Sequence, residues 1–495
     1  MRREYDVLIA GSGIAGMAAA CEAAGAGLRV LVVEAQAEPG GASAISGGAS
    51  CIVGTPLQAA VGLKDSVELA LADWARAGGP EADLAWARKY LAASRSEVYD
   101  WCERAGVVWQ GPQPHPSNSV PRGHRPVGGG AAVTAAVTSA ALGRGVARMT
   151  STRLDRLLTQ DGGVVGAVLA TEAGERELGA AAVLMATGGF VSNPSMLRHH
   201  APALRGVRRF LCGGAWQATG SGHRVLEAVG AAFTCLEHVW IYPDGTPDPL
   251  DPSGARGVLV RGPKTEVWLN EHGERFHDET DASGGTGAPA LLAQPGQHCW
   301  AIFDARTKQA VDLRDNGYYG LPLQPNRERI DTFFATSPYV RQANSIAALA
   351  RAADLPVDTV GAELEAFNAA ISSGARRDPR TGRDLRGARA ITDPPFFAVE
   401  YMPTVQKNLG GVRTDLDGRV LRPDGSVVPG LFAAGELAGM AGGHINGRGA
   451  IENTMFAPCL FSGRVAGAAA AAWAGRSPSQ PTSPDEARSP ASLTP

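Results

Sequence analysis

The sequence of 495 residues predicts an α/β protein in which an α+β domain is inserted into a Rossmann-like domain. Three observations support this prediction. Short apolar runs that end in small residues occur near both ends of the chain, the first run opens an alanine-rich helical stretch, and the middle of the chain lacks this rhythm. We expect residues 1–236 and 396–474 to form the first domain and residues 237–395 the second. Residues 475–495 are rich in Ser and Pro and are expected to be a disordered tail.

The start of the chain follows a strand–turn–helix–strand pattern. Asp6 to Ala10 is long enough for a buried parallel strand, and Gly11 to Gly16 is a G-x-G-x-x-G that opens the helical stretch Met17 to Ala26. A second strand, Leu28 to Val33, ends at Glu34. The glycines would let the backbone approach a pyrophosphate, and the acid could accept hydrogen bonds from ribose hydroxyls. This pattern predicts a dinucleotide site.

A second stretch of small residues follows the acid directly, from Gly40 to Ser43 and from Ser46 to Gly48. NAD ends near the first crossover, whereas FAD carries a ribityl chain and a flavin ring that must run on through the protein. Glycine and serine offer N–H and hydroxyl donors with little bulk. The stretch therefore indicates FAD, although a flexible surface loop is the alternative interpretation.

Composition excludes several other classes of function. The net charge of −3 leaves no electrostatic footprint for nucleic acid or an anionic membrane. The seven cysteines form no C-x-x-C pair, so we expect no metal site. No apolar run is long enough to span a membrane, and the first strand leaves no room for a leader peptide. We therefore expect a cytoplasmic protein.

Residues 51–150 are predicted to be mainly helical, with helices over Asp65 to Ala77 and Glu81 to Ala105. The segment 111–130 is rich in Pro, Gly, His and Arg, and it includes Arg122 and His124. It is either a substrate-facing loop or a solvated loop, and we favour the solvated loop.

The parallel-sheet pattern returns twice. A hairpin is predicted over Met149 to Leu158 and Val164 to Thr171, followed by a buried strand from Ala181 to Ala186. A fourth buried strand begins at Val427 and leads to Glu436, and the stretch Ile451 to Trp473 is predicted to be a long helix. The first domain is therefore expected to be discontinuous.

The middle of the chain carries more Pro, Asp and aromatic residues. Thr359 to Ser372 is predicted to be a helix. Arg376 to Arg389 is a basic loop, which we interpret as a solvated face.

The chain resembles the FAD-dependent fumarate reductase and succinate dehydrogenase flavoprotein family, which includes the 3-ketosteroid dehydrogenases. Four stretches carry the resemblance: Gly11 to Glu34, Gly40 to Gly48, Ala186 to Phe190, and Pro429 to Glu436 with the glycine-rich loop and the helix after it. Asn270 to Glu279 strengthens the resemblance, being close to the N-x-x-G-x-R-F-x-N-E run of that family's capping domain. The resemblance covers about residues 5–470. It implies a Rossmann-like FAD-binding domain (GR2-type) with an inserted α+β capping domain.

The resemblance also implies which residues hold FAD. Glu34 would bind the adenosine ribose, Glu436 the ribityl hydroxyls, and the helix expected to start near Ile451 would point its N-terminus at the flavin. No His occurs between residues 35 and 50, so non-covalent FAD is implied. The implied contacts are Gly11, Ser12, Gly13, Ala15, Gly16, Glu34, Ala35, Gly41, Ala42, Ser43, Ser46, Gly47, Gly48, Ala186, Thr187, Gly188, Gly435, Glu436, Ile451 and Asn453.

Several residues depart from the dicarboxylate-reducing members. No Arg follows Glu279 before position 306, Tyr242 stands where they place a His before Pro, and Lys407 stands in place of a second His. Arg448 is the one substrate arginine that remains, in an uncertain register. A C4 dicarboxylate needs several cations or donors, so fumarate reduction is not expected.

The resemblance then favours a dehydrogenase that desaturates a cyclic ketone, steroid-like or smaller, next to its carbonyl. This chemistry needs a proton base and a donor to the enolate oxygen. The catalytic candidates are Tyr242, His444, Tyr319 and Tyr401. Electrons would leave to a quinone, a protein or oxygen. An enoate or enone reductase fed by an electron-transfer partner and a non-catalytic FAD-binding protein are the alternatives.

Overall fold

The computed structural model describes residues 3–476 except 116, 263, 283–284, 315–318, 321–323 and 450–452. The predicted tail beyond residue 476 lies outside the described residues. The first part of the chain forms β1 (Arg3–Ala10), α1 (Ile14–Gly25), β2 (Val30–Val33), α2 (Gly41–Ile45), β3 (Ser50–Cys51), α3 (Pro56–Ala60), α4 (Val67–Gly78), α5 (Leu84–Ala93), α6 (Asp100–Arg104), β4 (Trp109–Gln113), β5 (Gly123–Pro126) and α7 (Gly129–Leu142). A π-helical segment, Ser94–Tyr99, joins α5 to α6.

The middle and the end of the chain add the remaining elements. Residues 147–234 form β6 (Ala147–Met149), β7 (Arg153–Gln160), β8 (Gly163–Thr171), β9 (Gly174–Met185), α8 (Pro194–His200), β10 (Leu211–Cys212), α9 (Ser221–Glu227) and β11 (Phe233–Thr234). The rest are β12 (Val239–Pro247), β13 (Gly257–Arg261), β14 (Val267–Leu269), α10 (Gly287–Leu292), β15 (Cys299–Phe303), α11 (Ala305–Gln309), β16 (Asp312–Arg314), β17 (Tyr319–Gly320), β18 (Gln324–Pro325), α12 (Arg327–Thr336), β19 (Val340–Ala343), α13 (Ile346–Ala352), α14 (Val357–Ser372), β20 (Phe396–Asn408), β21 (Gly411–Val412), β22 (Arg419–Leu421), β23 (Val427–Ala433) and α15 (Phe456–Arg476).

The first large sheet has the strand order β22-β23-β9-β1-β2-β6. Strands β23, β9, β1, β2 and β6 run parallel. The β7–β8 hairpin joins this sheet through β8, which pairs with β9 in the antiparallel direction. The inner residues of β1 and β2 are fully buried because α1, α7 and α15 cover one face of the sheet and the β7–β8 hairpin with α9 covers the other. The predicted Rossmann-like sheet, its hairpin and its discontinuous construction are confirmed.

Helices α1 and α15 pack on one face of this sheet and contact each other at small residues. A Cβ atom added to Gly463 would overlap the carbonyl oxygen of Ala15, and one added to Gly467 would lie 2.5 Å from the Cα atom of Ala19. The two backbones therefore approach as closely as sterics allow. This contact brings the C-terminal helix against the first helix of the chain.

The second large sheet has the order β14-β15-β20-β12-β13-β16, with β10 and β19 also paired to β20. The fold class, with its inserted α+β part, is therefore confirmed. The boundaries at residues 236 and 395 stay predictions. Strand β20, which follows residue 395, hydrogen-bonds along its length to strands of the second sheet.

The run from Asn270 to Glu279 is held by a buried ionic network. The Glu279 carboxylate accepts hydrogen bonds from Arg275 (2.8 Å) and Arg383 (3.0 Å), and Arg275 also pairs with Asp378 at 2.6 Å. Arg383 is completely buried, so the prediction that the loop 376–389 is a solvated face is wrong at this residue. The sequence pattern missed it because the carboxylate that pairs with Arg383 lies about a hundred residues earlier.

We expect the substitution Gly463→Ala to destabilise the protein. The added methyl group meets backbone rather than a side chain that can rotate away, and overpacking of this kind costs about 1–3 kcal/mol. Thermal unfolding measures the effect. Gly475→Ala is the matched control, because that position of α15 has nothing within 4 Å of the added Cβ atom. Equal unfolding temperatures for the two variants would contradict the close helix contact.

Candidate functional site

The turn between β1 and α1 requires glycine at two positions. Gly11 has φ +104°, and a Cβ atom there would overlap the carbonyl oxygen of Ala186. A Cβ atom at Gly16 would overlap the carbonyl oxygen of Gly11. The turn is therefore pressed against the end of β9, and its backbone lies open to a ligand on the other side.

Helix α1 begins with no side-chain cap. Its N-cap is Gly13, the N–H of Ile14 donates to Ser43 Oγ at 3.0 Å, and the first intrahelical bond runs from Met17 N to the carbonyl of Gly13. The N–H groups of the first turn have no partner within the helix, which is the arrangement that binds phosphate.

Glu34 follows β2, and its side chain is fixed beside this turn. One carboxylate oxygen accepts hydrogen bonds from the N–H of Ser12 (2.9 Å) and from its hydroxyl (2.7 Å), and the other accepts one from Gln36 N. The residue is 8% exposed. Ala35, next to it, is exposed. The acid is thus oriented at the point where the ribose of a dinucleotide would lie.

The second glycine stretch forms the short helix α2 rather than an irregular loop. Gly40 and Gly41 both have positive φ, and a Cβ atom at Gly48 would lie 2.7 Å from the N atom of Gly130. Gly130 N donates to the carbonyl of Ser46 at 2.9 Å, so α7 closes over this stretch. The small residues of the second glycine stretch therefore allow its backbone and the backbone of α7 to approach each other closely.

The ends of β9 and β23 complete the cradle. Ala186 N donates to the carbonyl of Ala10, and a Cβ atom at Gly188 would meet no atom within 4 Å. The Thr187 hydroxyl is buried and has no hydrogen-bond partner among the described residues. Gly435 N is held by the hydroxyl of Ser462 at 3.1 Å. The open backbone at Gly188 and the unpaired hydroxyl of Thr187 fit an extended dinucleotide.

A family model described as an FAD binding domain matches residues 6–450. The chain belongs to this FAD-binding family.

Named relatives agree with this assignment. A KsdD-like steroid dehydrogenase of Mycobacterium tuberculosis is 30% identical, over 94% of this chain and 95% of the relative. The open conformation of a flavocytochrome c3 fumarate reductase has a TM-score of 0.78 at 27% identity, covering 95% of this chain and 78% of that one. The 3-ketosteroid-delta4-(5alpha)-dehydrogenase from Rhodococcus jostii RHA1 has a TM-score of 0.70 at 28% identity, covering 95% and 97%. The predicted resemblance is confirmed, and the chain is an FAD-dependent oxidoreductase.

Glu436 has the most perturbed carboxyl group of the FAD cradle. Burial raises its pKa to about 7, against the opposing effects of a hydrogen bond from Asn408 N (3.2 Å) and of the Lys407 charge. The side chain keeps part of its surface exposed. It can therefore be protonated near neutral pH, and a protonated carboxyl group donates a hydrogen bond as well as accepting one.

The flavin end of the predicted site differs from expectation. Helix α15 begins at Phe456, so the prediction of a helix starting near residue 451 is wrong. Ile451 lies outside the described residues. Asn453 has φ +71°, and its carbonyl accepts a hydrogen bond from Cys51 N at 2.8 Å. This bond brings the loop before α15 against β3, on the far side of the second glycine stretch.

The segment 111–130 is not the solvated loop that we favoured. Arg122 is fully buried and pairs with Asp65 (2.8 Å) and Asp73 (2.5 Å). His124 is buried as well, and its Nδ1 lies 2.8 Å from the carbonyl of Arg122, so Nδ1 carries the proton and Nε2 accepts from Thr55 at 2.8 Å. Strand β5, which contains His124 and directly follows Arg122, lies beside Asn453.

The four catalytic candidates lie in different surroundings. Tyr242 lies on β12 and is 7% exposed. Tyr401 packs on Trp268 (5.9 Å between ring centroids) in the core of the second sheet, where burial raises its pKa well above the usual value. The side chain of Tyr319 lies outside the described part. His444 is buried and hydrogen-bonded through both ring nitrogens. The roles of all four stay predictions.

Trp240 and Asn408 are two residues to which the sequence pattern assigned no role. Trp240 and Tyr242 point to the same side of β12, and both pack in the cluster that contains Ile52 and Leu409 of the FAD-binding half. Alternation along a strand could have paired them. Asn408 is fully buried and accepts a hydrogen bond from Phe190 N at 3.1 Å. A single Asn carries no sequence signal for such a role.

We expect Glu436→Gln to stabilise the FAD-free chain, and increasingly so as the pH rises. The carboxyl group has a pKa of about 7 when folded and about 4.5 when unfolded, so folding becomes less favourable as the pH rises from about 4.5 through 7. The neutral amide does not titrate. Thermal unfolding at pH 5 and pH 8 measures the difference between variant and parent.

The exposed glutamate on α14 supplies the control for this experiment. Glu365→Gln should change the unfolding temperature equally at both pH values. A Glu436→Gln effect that is equally large at pH 5 and pH 8 would show that burial does not perturb this carboxyl group.

No helix in the described ranges combines the length and the apolar character that a bilayer crossing needs.

Proposed function

We propose that the protein oxidises or reduces a CH–CH bond next to the carbonyl of a cyclic ketone, with desaturation as its physiological direction. The observation that carries this proposal is the aromatic wall formed by Trp240 and Tyr242, whose ring centroids are 5.9 Å apart. Both rings face the FAD-binding half in one hydrophobic cluster. A wall of this kind fits a flat apolar ring better than it fits a carboxylate.

Two cations lie over this wall. The guanidinium of Arg261 is 4.7 Å from the centroid of the Tyr242 ring, and the Lys407 ammonium is 5.7 Å from both ring centroids. Arg261 is neutralised by an ion pair with Asp244. The remaining positive charge of Lys407 beside this wall can stabilise an enolate that forms there.

The buried donors define where a ketone oxygen would bind. The indole N–H of Trp240 is buried and lacks a hydrogen-bond partner among the residues described. A buried donor without a partner is unfavourable, and a substrate carbonyl would satisfy it. We propose that Trp240 holds the ketone oxygen and that Tyr242 takes the proton from the adjacent carbon, or returns it in the reverse direction. FAD, when bound, supplies the hydride acceptor.

The arginines named in the sequence analysis argue against a C4 dicarboxylate. Arg448 is 72% exposed and pairs with Glu81 at 3.4 Å. Arg122 is committed to two buried carboxylates. Neither offers a guanidinium to bind a second carboxylate of a substrate.

We also propose that FAD is bound non-covalently, since residues 35–50 include no histidine to carry a link. Acid precipitation of the yellow protein should release all flavin into the supernatant. Flavin retained in the pellet would contradict this proposal.

We expect Tyr242→Phe to lower turnover by a factor of about 10² to 10⁴, the range for loss of a general acid or base, with FAD content unchanged. The assay follows anaerobic flavin bleaching with a panel of saturated cyclic ketones, including 3-ketosteroids. Chemically reduced protein is then reoxidised with the matching enones and with fumarate.

Tyr401→Phe is the control, because it removes a phenol hydroxyl from the core of the second sheet. Bleaching by a saturated ketone supports desaturation, whereas reoxidation by an enone alone would make the protein a reductase. Reoxidation by fumarate alone, or full turnover by Tyr242→Phe, would overturn the proposal.

A further inference from the structure

Three potential metal ligands from two distant parts of the chain meet at one point. Cys235 and His238 come from the turn between β11 and β12, and His444 comes from the glycine-rich loop after β23. One ligand atom from each lies within 4.8 Å of the other two. Both histidines are buried, and Cys235 is half-buried.

The local backbone holds the first two ligands in place. Cys235 has φ +51°, and His238 N donates to the Cys235 carbonyl at 3.0 Å, which closes a tight turn. The residues are spaced C-x-x-H along the chain. The two-residue interval matches the spacing of paired ligands in structural zinc sites.

The hydrogen bonds of His444 determine which of its nitrogens can bind a metal. Nδ1 lies 2.9 Å from the Glu81 carbonyl, which only accepts, so Nδ1 carries the proton. Nε2 then presents its lone pair, and His238 Nδ1 lies 2.8 Å from it. Ligand histidines in metal sites commonly donate their other N–H to a backbone carbonyl in this way.

His238 has the complementary arrangement. Its Nε2 is buried without a hydrogen-bond partner among the described residues, and the nearest carboxylate oxygen, from Glu237, is 4.0 Å away. When the ring proton moves from Nδ1 to Nε2, that N–H faces Glu237, and Nδ1 is free to bind a metal. Both histidines would then be oriented by second partners.

We propose that Cys235, His238 and His444 bind a divalent transition metal that accepts thiolate and imidazole, with Zn²⁺ as the best fit. The mixed S and N ligand set suits zinc and excludes Mg²⁺ and Ca²⁺, which require oxygen ligands. On binding, the Cys235 thiol releases its proton to solvent and the S–Zn bond forms. The His238 proton shifts to Nε2, so one proton leaves for each zinc bound.

Zinc binding requires the two histidine nitrogens, His238 Nδ1 and His444 Nε2, to move only slightly apart. Two nitrogens bound to tetrahedral zinc at about 2.0–2.1 Å stand about 3.3 Å apart, so the His238–His444 distance must increase by about half an ångström. The carboxylates of Glu237 and Glu81 face the site and favour a cation, and Arg448 opposes it. Arg448 is 72% exposed and pairs with Glu81, which reduces its effect.

Such a metal would join three segments near the aromatic wall. His238 lies one residue before β12, which carries Trp240 and Tyr242. His444 bonds to the loop before α5 through the Glu81 carbonyl, and Asp83 N donates back to the His444 carbonyl at 3.1 Å. The metal would therefore stabilise the fold at this junction.

The test uses FAD-loaded protein freed of metal by a chelator and then given one equivalent of Zn²⁺. We expect one zinc per chain by elemental analysis after desalting, and a rise in unfolding temperature. Cys235→Ser and His238→Gln should each lose the bound zinc while they retain FAD. Cys459→Ser, which changes another half-buried cysteine, and His272→Gln are matched controls that should keep it.

A second measurement needs no variant. Alkylation of Cys235 in the parent protein, followed by peptide mass spectrometry, should slow by about tenfold or more when Zn²⁺ is added, because the metal-bound sulfur is shielded. Co²⁺ in place of Zn²⁺ should give tetrahedral ligand-field bands to the red of the flavin absorption. Unchanged alkylation, or zinc retained equally by Cys235→Ser and the controls, would overturn the proposal.

Discussion

The close contact between α1 and α15 is the constraint on which the rest of the structure depends. Gly463 and Gly467 meet the backbone at Ala15 and Ala19, which are nearly 450 residues away along the chain. Because this contact carries the C-terminal segment back to the first helix, β23 pairs with β9, and Glu436 reaches the same edge of the sheet as the first glycine turn. The chain segment that forms the second sheet must therefore begin and end close to the FAD-binding half.

Two classes of buried charge serve different purposes in this framework. In the Arg275–Glu279–Arg383 network of the cap each ion has a counterion, so the network fixes loops at the cost of desolvating several ions. At Glu436 the effect of burial exceeds that of the Lys407 charge and raises the pKa to about 7. The first arrangement balances buried charges with counterions, whereas the second leaves a carboxyl group able to exchange a proton near neutral pH.

The sequence was sufficient to predict the FAD-binding fold, because its signals are local: G-x-G-x-x-G after a strand, an acid at the end of the next strand, and a repeated strand-to-glycine pattern. It was insufficient wherever a residue's partner is distant. Arg383 appeared solvated because Glu279 is not its neighbour in sequence, and Arg122 appeared solvated for the same reason. The Cys235 and His238 pair could be read from spacing alone, but His444 joins them only through the fold. The start of α15 was misjudged because the apolar pattern begins before the backbone becomes helical.

Strand β20 has a mechanical consequence. Its first residues lie in the middle of the cap sheet, and its last residue, Asn408, is bonded to Phe190 and Glu436 of the FAD-binding half. A continuous strand resists bending, so the cap cannot swing freely about this connection. The hydrogen bond from Asn408 N to the Glu436 carboxylate therefore couples the end of β20 to that carboxyl group. The surroundings of the Glu436 carboxyl group and the position of the cap are therefore not independent variables in this protein.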